Sequence, residues 1–357
     1  MLAPYADYLF ITMIVPKQNS RISDVDFQKA IQLLEGSSQI AITTHIRPDG
    51  DACGCMRALI DALLAHGKKV FPLFLSPPAS WYADLFDKKV PVLGNDFSSE
   101  QLMEEPWREC DLLIVVDTNS LVQLPGLEMW FQHDAPPKKV LVIDHHLTGD
   151  GLGDVQLVDA KAAAAGEIVY DLFRAAGWPI TPSIAKALFV ALSTDTGWFR
   201  FGNADSRIFR TAAELIEAGA RPDEIYRMMY QSFTPARLRL LVRMLDHLEL
   251  YEQEQIASQY LLRKDFEETG AKGPDTENLI DECQRIKTVE AAFLLVELSD
   301  GRFRCSLRSK GKVDVRVIAQ KYGGGGHTLA AGATVPGPLE EAKSKIVQEI
   351  AEQLRKK

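Results

Sequence analysis

Three apolar runs that end on, or run into, acidic and imidazole side chains constrain this chain more than any other feature. Gln39-Ile-Ala-Ile-Thr-Thr44 runs into His45-Ile-Arg-Pro-Asp49-Gly-Asp51. Asp111-Leu-Leu-Ile-Val-Val-Asp117 closes on an aspartate, and Lys139-Val-Leu-Val-Ile-Asp144 leads into His145-His146. Such nearly continuous apolar runs suit strands covered on both faces, as in a parallel sheet. Lys69 to Leu75 and Gln156 to Val158 read as further strands. Between and after them lie helical patterns. Met56, Leu59, Ile60, Leu63 and Leu64 share one face before Gly67, placed as a C′ residue, and similar patterns cover 166–176 and 182–193. This alternation over residues 25–207 predicts an α/β domain with a doubly wound parallel sheet. In open α/β sheets ligand sites lie outside the carboxyl ends of the strands, so three strand ends aim His and Asp side chains at one crevice.

At 357 residues the chain has length for about two domains. Residues 208–247 read as a charged helical connector with breaks near Gly219–Pro222 and at Thr234-Pro235. Residues 248–357 read as a smaller α+β domain. It contains a hairpin over 248–251 and 256–262, and a second over 291–298 and 302–307 around Ser299-Asp-Gly301. Its helices are expected at 276–285, 313–322 and 338–355. Forty basic against 49 acidic side chains give a net charge of −9, which argues against a duplex-DNA binder with a broad basic surface. No apolar run approaches the roughly 18 residues of a membrane-spanning helix. The apolar stretch from Tyr8 to Val15 is short and lacks a basic leader, so it reads as an edge strand or a tail, and Met13 is an alternative start. Five cysteines, an odd number without framework spacing, point to reduced thiols and a cytoplasmic protein. Cys53 and Cys55 read as small helix-start residues rather than ligands.

A further carboxylate, Asp195, follows the apolar helix in Ser193-Thr-Asp-Thr-Gly-Trp198. Taken singly, an Asp after a strand is usually a turn former and a buried His is usually structural. Here they fall together at several strand ends of one sheet. Imidazole and carboxylate without thiolate suit Mn²⁺, Mg²⁺, Fe²⁺ or Zn²⁺, with the carboxylate excess favouring harder ions. The set His45, Asp49, Asp51, Asp117, His145 and Asp195 is too large for one ion with an open position. It suits two ions about 3.5–4 Å apart that share a carboxylate. His66, His133 and His247 fall outside this pattern and read as surface or structural residues. Glu167 reads as a helix-start acid, and Asn119 and Arg47 as loop residues or substrate contacts. In the second domain, Gly324, Gly325 and Gly326 precede His327 and a stretch, Thr328-Leu-Ala-Ala-Gly332, that reads as a small-residue helix. The glycines can form an anion-binding nest at that helix N-terminus, or a flexible linker. Arg308 can grip a phosphate bidentately and Lys310 can add a point charge.

His45-x-x-Pro-Asp49-x-Asp51, Asp117, Asp144-His145-His146 and Asp195, in that order, resemble the motifs of the DHH phosphoesterase superfamily. Gly324-Gly-Gly-His327 with Ala330-Ala-Gly332 resembles the DHH-associated C-terminal domain. The likeness extends over roughly residues 25–350, and size and layout resemble the nanoRNase/pAp phosphatase group. The resemblance implies one metal held by His45, Asp49 and Asp117 and a second held by Asp51, Asp117, His145 and Asp195. Asp117 would bridge them, Asp144 would orient an imidazole or the bridging water, and His146 would contact the scissile phosphate. Arg308, the glycine run and His327 would hold the rest of the substrate. Mn²⁺ is the favoured ion, with Mg²⁺ the alternative, and a homodimer is compatible with the family. The implied function is hydrolysis of short oligoribonucleotides or 3′-phosphoadenosine 5′-phosphate through in-line attack of a bridging hydroxide. The rivals are an inorganic pyrophosphatase or exopolyphosphatase, which would lack the Gly-Gly-Gly-His segment, and a nucleotide sensor without turnover. A long-strand exonuclease would want a basic groove that this chain does not show.

Overall fold

The computed structural model describes residues 22–131, 139–147 and 149–356. The apolar stretch 8–15 and His133 lie outside them. The first domain is built on five parallel strands: β1 (Gln39–Thr44), β2 (Lys69–Pro72), β3 (Leu112–Val116), β4 (Val140–Asp144) and β5 (Val155–Val158). Their order across the sheet is β2-β1-β3-β4-β5. The two-residue period of a strand sends alternate side chains to opposite faces. Ile40, Ile42, Ile114, Val116, Leu141 and Ile143 therefore pack on one side under α1 (Asp24–Gly36), α2 (Gly50–Ala65), α4 (Ala165–Ala176) and α5 (Pro182–Asp195). The short helix α3 (Ser80–Ala83) adds Trp81 and Tyr82 to that core. Ala41, Leu113, Val115 and Val142 pack on the other side against Trp107, Leu124 and Trp130, carried on loops and short 3₁₀ turns.

Two glycines set the closeness of α2 and α5. A Cβ on Gly50 would lie 2.2 Å from the side chain of Thr194, and one on Gly54 2.4 Å from the carbonyl oxygen of Ala187. Without side chains there, the first turn of α2 rests on the last turn of α5. That contact brings Asp51 to Asp195.

After the first domain come α6 (Ser206–Glu217), α7 (Pro222–Tyr230) and α8 (Pro235–Asp246). The first two bury Ile208, Leu215, Ile225 and Met229 in the first domain's core. The third buries Leu240 and Met244 in the second domain's. The expected connector is thus split between the two bodies.

The second domain adds β6 (Glu249–Tyr251), β7 (Ile256–Leu261), α9 (Arg263–Thr269), β8 (Ala291–Glu297), β9 (Phe303–Ser309), α10 (Val315–Lys321), β10 (Gly325–Gly326), β11 (Ala330–Val335) and α11 (Leu339–Arg355). Its sheet runs β10-β11-β9-β8-β7-β6. Both expected hairpins are present, β6 with β7 and β8 with β9. α10 and α11 cover one face through Ile318, Ile346 and Ile350.

Three local expectations are corrected. The strand expected over 69–75 is regular only over Lys69–Pro72; Leu73 N–H still donates to the Ile42 carbonyl at 2.9 Å, and Phe74 then leaves the ladder to pair with Val92. The segment 276–285 is not an α-helix but two 3₁₀ turns, Gly273–Thr276 and Leu279–Arg285, separated by Asn278 in the left-handed region at φ 56°. The small-residue stretch after His327 is strand β11, and Gly325–Gly326 pairs with it antiparallel. The glycine run therefore follows the C-terminus of α10 and does not cap the N-terminus of a helix. A Cβ on Gly324 would lie 2.0 Å from the Gly332 carbonyl oxygen, so glycine is needed there for close backbone approach.

Candidate metal centre

Each site residue is placed by an element end. Asp49 is the N-cap of α2, its Oδ1 accepting from the N–H groups of Asp51 and Ala52 at 3.0 and 3.1 Å. Asp51, fully buried, accepts from the N–H groups of Ala165 and Gly166 at 2.5 and 2.9 Å, at the N-terminus of α4. Asp117 follows β3 in the left-handed region, φ 59°, a backbone state that Asp tolerates better than most residues. Trp198 and Phe199, just beyond Asp195, hold φ of 60° and 61°; for bulky side chains such values mark a tightly determined segment.

The side chains converge. His45 Nε2 lies 3.4 Å from Asp117 Oδ2 and 4.0 Å from Asp49 Oδ1. His145 Nε2 lies 3.1 Å from Asp195, 3.3 Å from Asp117 and 3.6 Å from Asp51. Two triplets, His45–Asp49–Asp117 and Asp51–Asp117–His145, each keep one ligand atom per residue within 4.8 Å of the others, and Asp117 belongs to both. Asp195 reaches the second through His145.

The hydrogen bonds fix which imidazole nitrogen faces the cluster. His45 Nδ1 is 2.9 Å from the Ile46 carbonyl oxygen and His145 Nδ1 is 3.2 Å from that of Ala162. With Nδ1–H donating to the backbone, each Nε2 lone pair points at carboxylate oxygens, which an intervening cation would reconcile. Asp117 Oδ1 and His145 Nε2 are buried without a well-formed hydrogen bond. Electrostatics agree. Burial, then Asp117 and Asp195, push Asp49 up to about 6 and Asp51 well above the usual carboxylate range. Burial opposes charge on His45, yet its bond to Asp117 and the field of Asp49 raise it to about 9. Protons here do the work of a positive ion, and these residues fit a divalent pair.

Asp144, fully buried, accepts at Oδ1 from the N–H groups of His145 and His146 and from His146 Nδ1 at 2.7 Å. His146 thereby keeps Nε2 free. From the second domain, His327 stacks on His146, with ring centroids 4.6 Å apart. Burial, then the charge of His146 and His145, push His327 down to about 4, so it stands neutral at pH 7. Arg308 Nε donates to Asp281 at 3.0 Å, and Lys310 Nζ donates to the Ile286 carbonyl at 2.7 Å. Lys310 is therefore directed into its own domain. Cys53 and Cys55 are buried, and Cys55 Sγ donates to Asp51 at 3.3 Å. Glu167 sits in the first turn of α4, paired with Arg207 at 2.6 Å. Asn119 is a loop clamp, bonded to Gln156 and the Leu152 N–H. His66 and His247 stack on Trp178 and Tyr260, away from the cluster.

Sequence reasoning missed the polar seam between the domains. Tyr82 donates to Glu277 at 2.8 Å, burial pushes the Glu277 carboxyl up to about 8, and Arg304 hydrogen-bonds Thr276. No motif marks these residues.

A model of the DHH family, N-terminal domain, matches residues 39–192, and a DHHA1 domain model matches residues 253–356. The chain is a DHH–DHHA1 protein. All the converging carboxylates and imidazoles except Asp195 and His327 lie within the DHH match, and His327 lies within the DHHA1 match. Over 334 residues the chain is 29% identical to the bifunctional oligoribonuclease and PAP phosphatase NrnA of Thermus thermophilus, covering 91% of this chain and 93% of that protein. It is 27% identical to the Bacillus subtilis protein of the same name, covering 83% and 89%. Among solved structures, an exopolyphosphatase-related protein from Bacteroides fragilis superposes with a TM-score of 0.82 at 25% identity, covering 94% of this chain and 98% of that one.

Proposed function

We propose that this DHH–DHHA1 protein is a metal-dependent phosphoesterase that hydrolyses short oligoribonucleotides and 3′-phosphoadenosine 5′-phosphate. The observation that carries the reading is buried Asp117, shared by two ligand triplets at the C-terminal edge of the sheet, one fully buried and one partly open to solvent. The names of its relatives in Thermus and Bacillus support the substrate class. His45, Asp49 and Asp117 would hold one ion, and Asp51, Asp117, His145 and Asp195 the other, Mn²⁺ being preferred. When bound, such a pair supplies Lewis acidity and an activated water for in-line displacement at phosphorus. The chain's own groups do the rest. Ile46 and Ala162 carbonyls set the tautomers of His45 and His145. Asp144 holds His146 by Nδ1, leaving Nε2 to donate to a phosphate oxygen. His327 closes over His146 from the DHHA1 domain and shields the site from water. The net charge of −9 suits a pocket for a small nucleotide better than a long basic track.

The test is product release with Mn²⁺ from four substrates: 3′-phosphoadenosine 5′-phosphate, a 5′-phosphorylated dinucleotide, a 24-mer RNA and pyrophosphate. Turnover of the first two, abolished in Asp117→Ala, is expected. Turnover of pyrophosphate alone would replace this reading with a pyrophosphatase, and silence on all four would leave a nucleotide sensor.

A further inference from the structure

Apart from the shared Asp117, the second candidate ion set comes from α2 (Asp51), the end of β4 (His145) and the last turn of α5 (Asp195), and one short segment meets all three. That segment is residues 159–164, between β5 and α4, together with the first turn of α4. Its Ala162 carbonyl oxygen accepts from His145 Nδ1 at 3.2 Å, and the N–H groups of Ala165 and Gly166 donate to Asp51. The Ala163 peptide between them is gripped on both sides from the start of α6. Its N–H donates to Glu167 Oε2 at 3.1 Å, and Glu167 Oε1 lies 2.6 Å from Arg207 Nε. Its carbonyl oxygen accepts from Asn203 Nδ2 at 3.2 Å, and the same nitrogen donates to the Asp195 carbonyl at 3.1 Å. Both partners are acceptors, so the nitrogen of the amide and not its oxygen must face them. Arg207, its side chain 13% exposed, also donates to Asp171 at 2.6 Å, and Asp205 caps α6 between Asn203 and Arg207.

The first triplet is held differently. His45 Nδ1 bonds the carbonyl of the next residue, and Asp49 bonds N–H groups of its own helix. The start of α6 therefore acts on one half of the candidate centre. A single amide ties the peptide beside the supports of His145 and Asp51 to the backbone of Asp195, and without it two carbonyl oxygens lose their shared donor. We propose that Asn203 and Arg207 are positioning residues for the second ion. They touch neither the ion nor the substrate, and they hold Asp51, His145 and Asp195 in one geometry by pinning the Ala163 peptide. Groups that orient metal ligands in this way carry roughly 10–100-fold in metal affinity. The proposal rests on the two-ion reading above and deepens it, and it is independent of which phosphate ester is cut.

The experiment titrates Mn²⁺ into the chelator-treated full chain by calorimetry, with electron paramagnetic resonance at two equivalents reporting whether the ions sit as a coupled pair. Wild type is expected to bind two ions. Asn203→Ala and Arg207→Gln should each weaken one ion about tenfold or more and leave the other within about twofold. Arg207→Lys, which keeps a charge beside Glu167, should lose less. Two backgrounds assign the weakened ion. In Asp49→Ala, which keeps the second set, Asn203→Ala should cost the same factor; in Asp195→Ala, which keeps the first triplet, it should cost less than about twofold. A merely structural role would lower both affinities together or neither. Equal losses in the two backgrounds, or changes within about twofold in both, therefore overturn the proposal. Asn203 is exposed, so Asn203→Ala keeps the outcome readable if Arg207→Gln, which strands buried carboxylates, folds poorly. Two ions in wild type, one of them weakened in the variants, with no turnover of any substrate above, would sink the phosphoesterase and keep the positioning role. Fewer than two ions in wild type would remove the two-ion reading and the positioning role with it.

Discussion

The DHH domain gathers its site charges, whereas the DHHA1 domain pairs most of its own off. His45, Asp49, Asp51, Asp117, His145 and Asp195 meet in one crevice, where each carboxylate is surrounded by others. In the second domain Arg308 has Asp281, Lys312 has Glu290, and Lys310 has a backbone carbonyl. The difference follows from topology. Parallel strands all end at the same edge, so residues after β1, β3 and β4 are brought together whether or not their charges agree. In the largely antiparallel sheet, neighbouring strand ends point in opposite directions and charged residues are spread along faces. A gathered set depends on a cation, and a dispersed set does not.

Metal removal probes this contrast most strongly. Without divalent ions, protons must hold the DHH cluster together. His45 is raised from 6.5 to about 9, so its stabilising charge is complete below 6.5 and is lost as pH rises through 9. Asp49 is raised from 3.8 to about 6, so the folded state holds its proton more tightly and stability falls with rising pH across that window too. The His45 contribution is on the order of 3 kcal/mol; that of Asp49, nearly half exposed, is discounted for screening. Chelated protein should therefore lose roughly 3–5 °C of Tm between pH 5 and 9. Mn²⁺ should restore it at pH 9, and fail to do so in Asp117→Asn. Scanning calorimetry with and without chelator makes the measurement. A Tm that is flat or rises with pH would break the comparison, because the crevice would then not be starved of positive charge.

The parts legible in the sequence are those fixed by local pattern. β3 and β4 could be read because their cores are apolar without interruption, and the convergence of His45, Asp117 and His145 because strand ends in such a sheet share one edge. What escaped depends on pairing between distant segments. Tyr82 and Glu277 are 195 residues apart and meet only because the two domains dock. The glycine run has no strand propensity, yet it is a strand, because backbone proximity to β11 rather than side-chain preference decides its conformation.

Close backbone approach of β10 to β11 makes the glycines unequal. A methyl on Gly324 would meet the Gly332 carbonyl, which cannot yield, whereas one on Gly325 meets nothing within 4 Å. Gly324→Ala should cost about 1–3 kcal/mol and unpair β10, and Gly325→Ala less than about 1 kcal/mol. Amide hydrogen exchange should show the loss confined to β10 and β11, with Mn²⁺ affinity of the DHH crevice retained. If Gly324→Ala weakened Mn²⁺ binding as much as Asp117→Asn, the two domains would form one charged site rather than two with different logic.

The smallest effect should come from Lys310. By sequence it stands beside Arg308 as a second phosphate ligand. In the structure its Nζ donates to the Ile286 carbonyl at 2.7 Å and its own N–H to that of Glu290 at 2.8 Å. An exposed ammonium held by one backbone oxygen contributes little beyond a screened charge. Lys310→Ala should change kcat/KM for 3′-phosphoadenosine 5′-phosphate by less than about threefold and stability by less than about 0.5 kcal/mol. Arg308→Ala should do more, since it also leaves Asp281 without its partner. Kinetics of the two variants at low and moderate salt decide the matter. Equal losses in both, steepened at low salt, would mean that Lys310 leaves Ile286 to join the substrate, and the DHHA1 domain would then gather charges on binding much as the DHH domain does at rest.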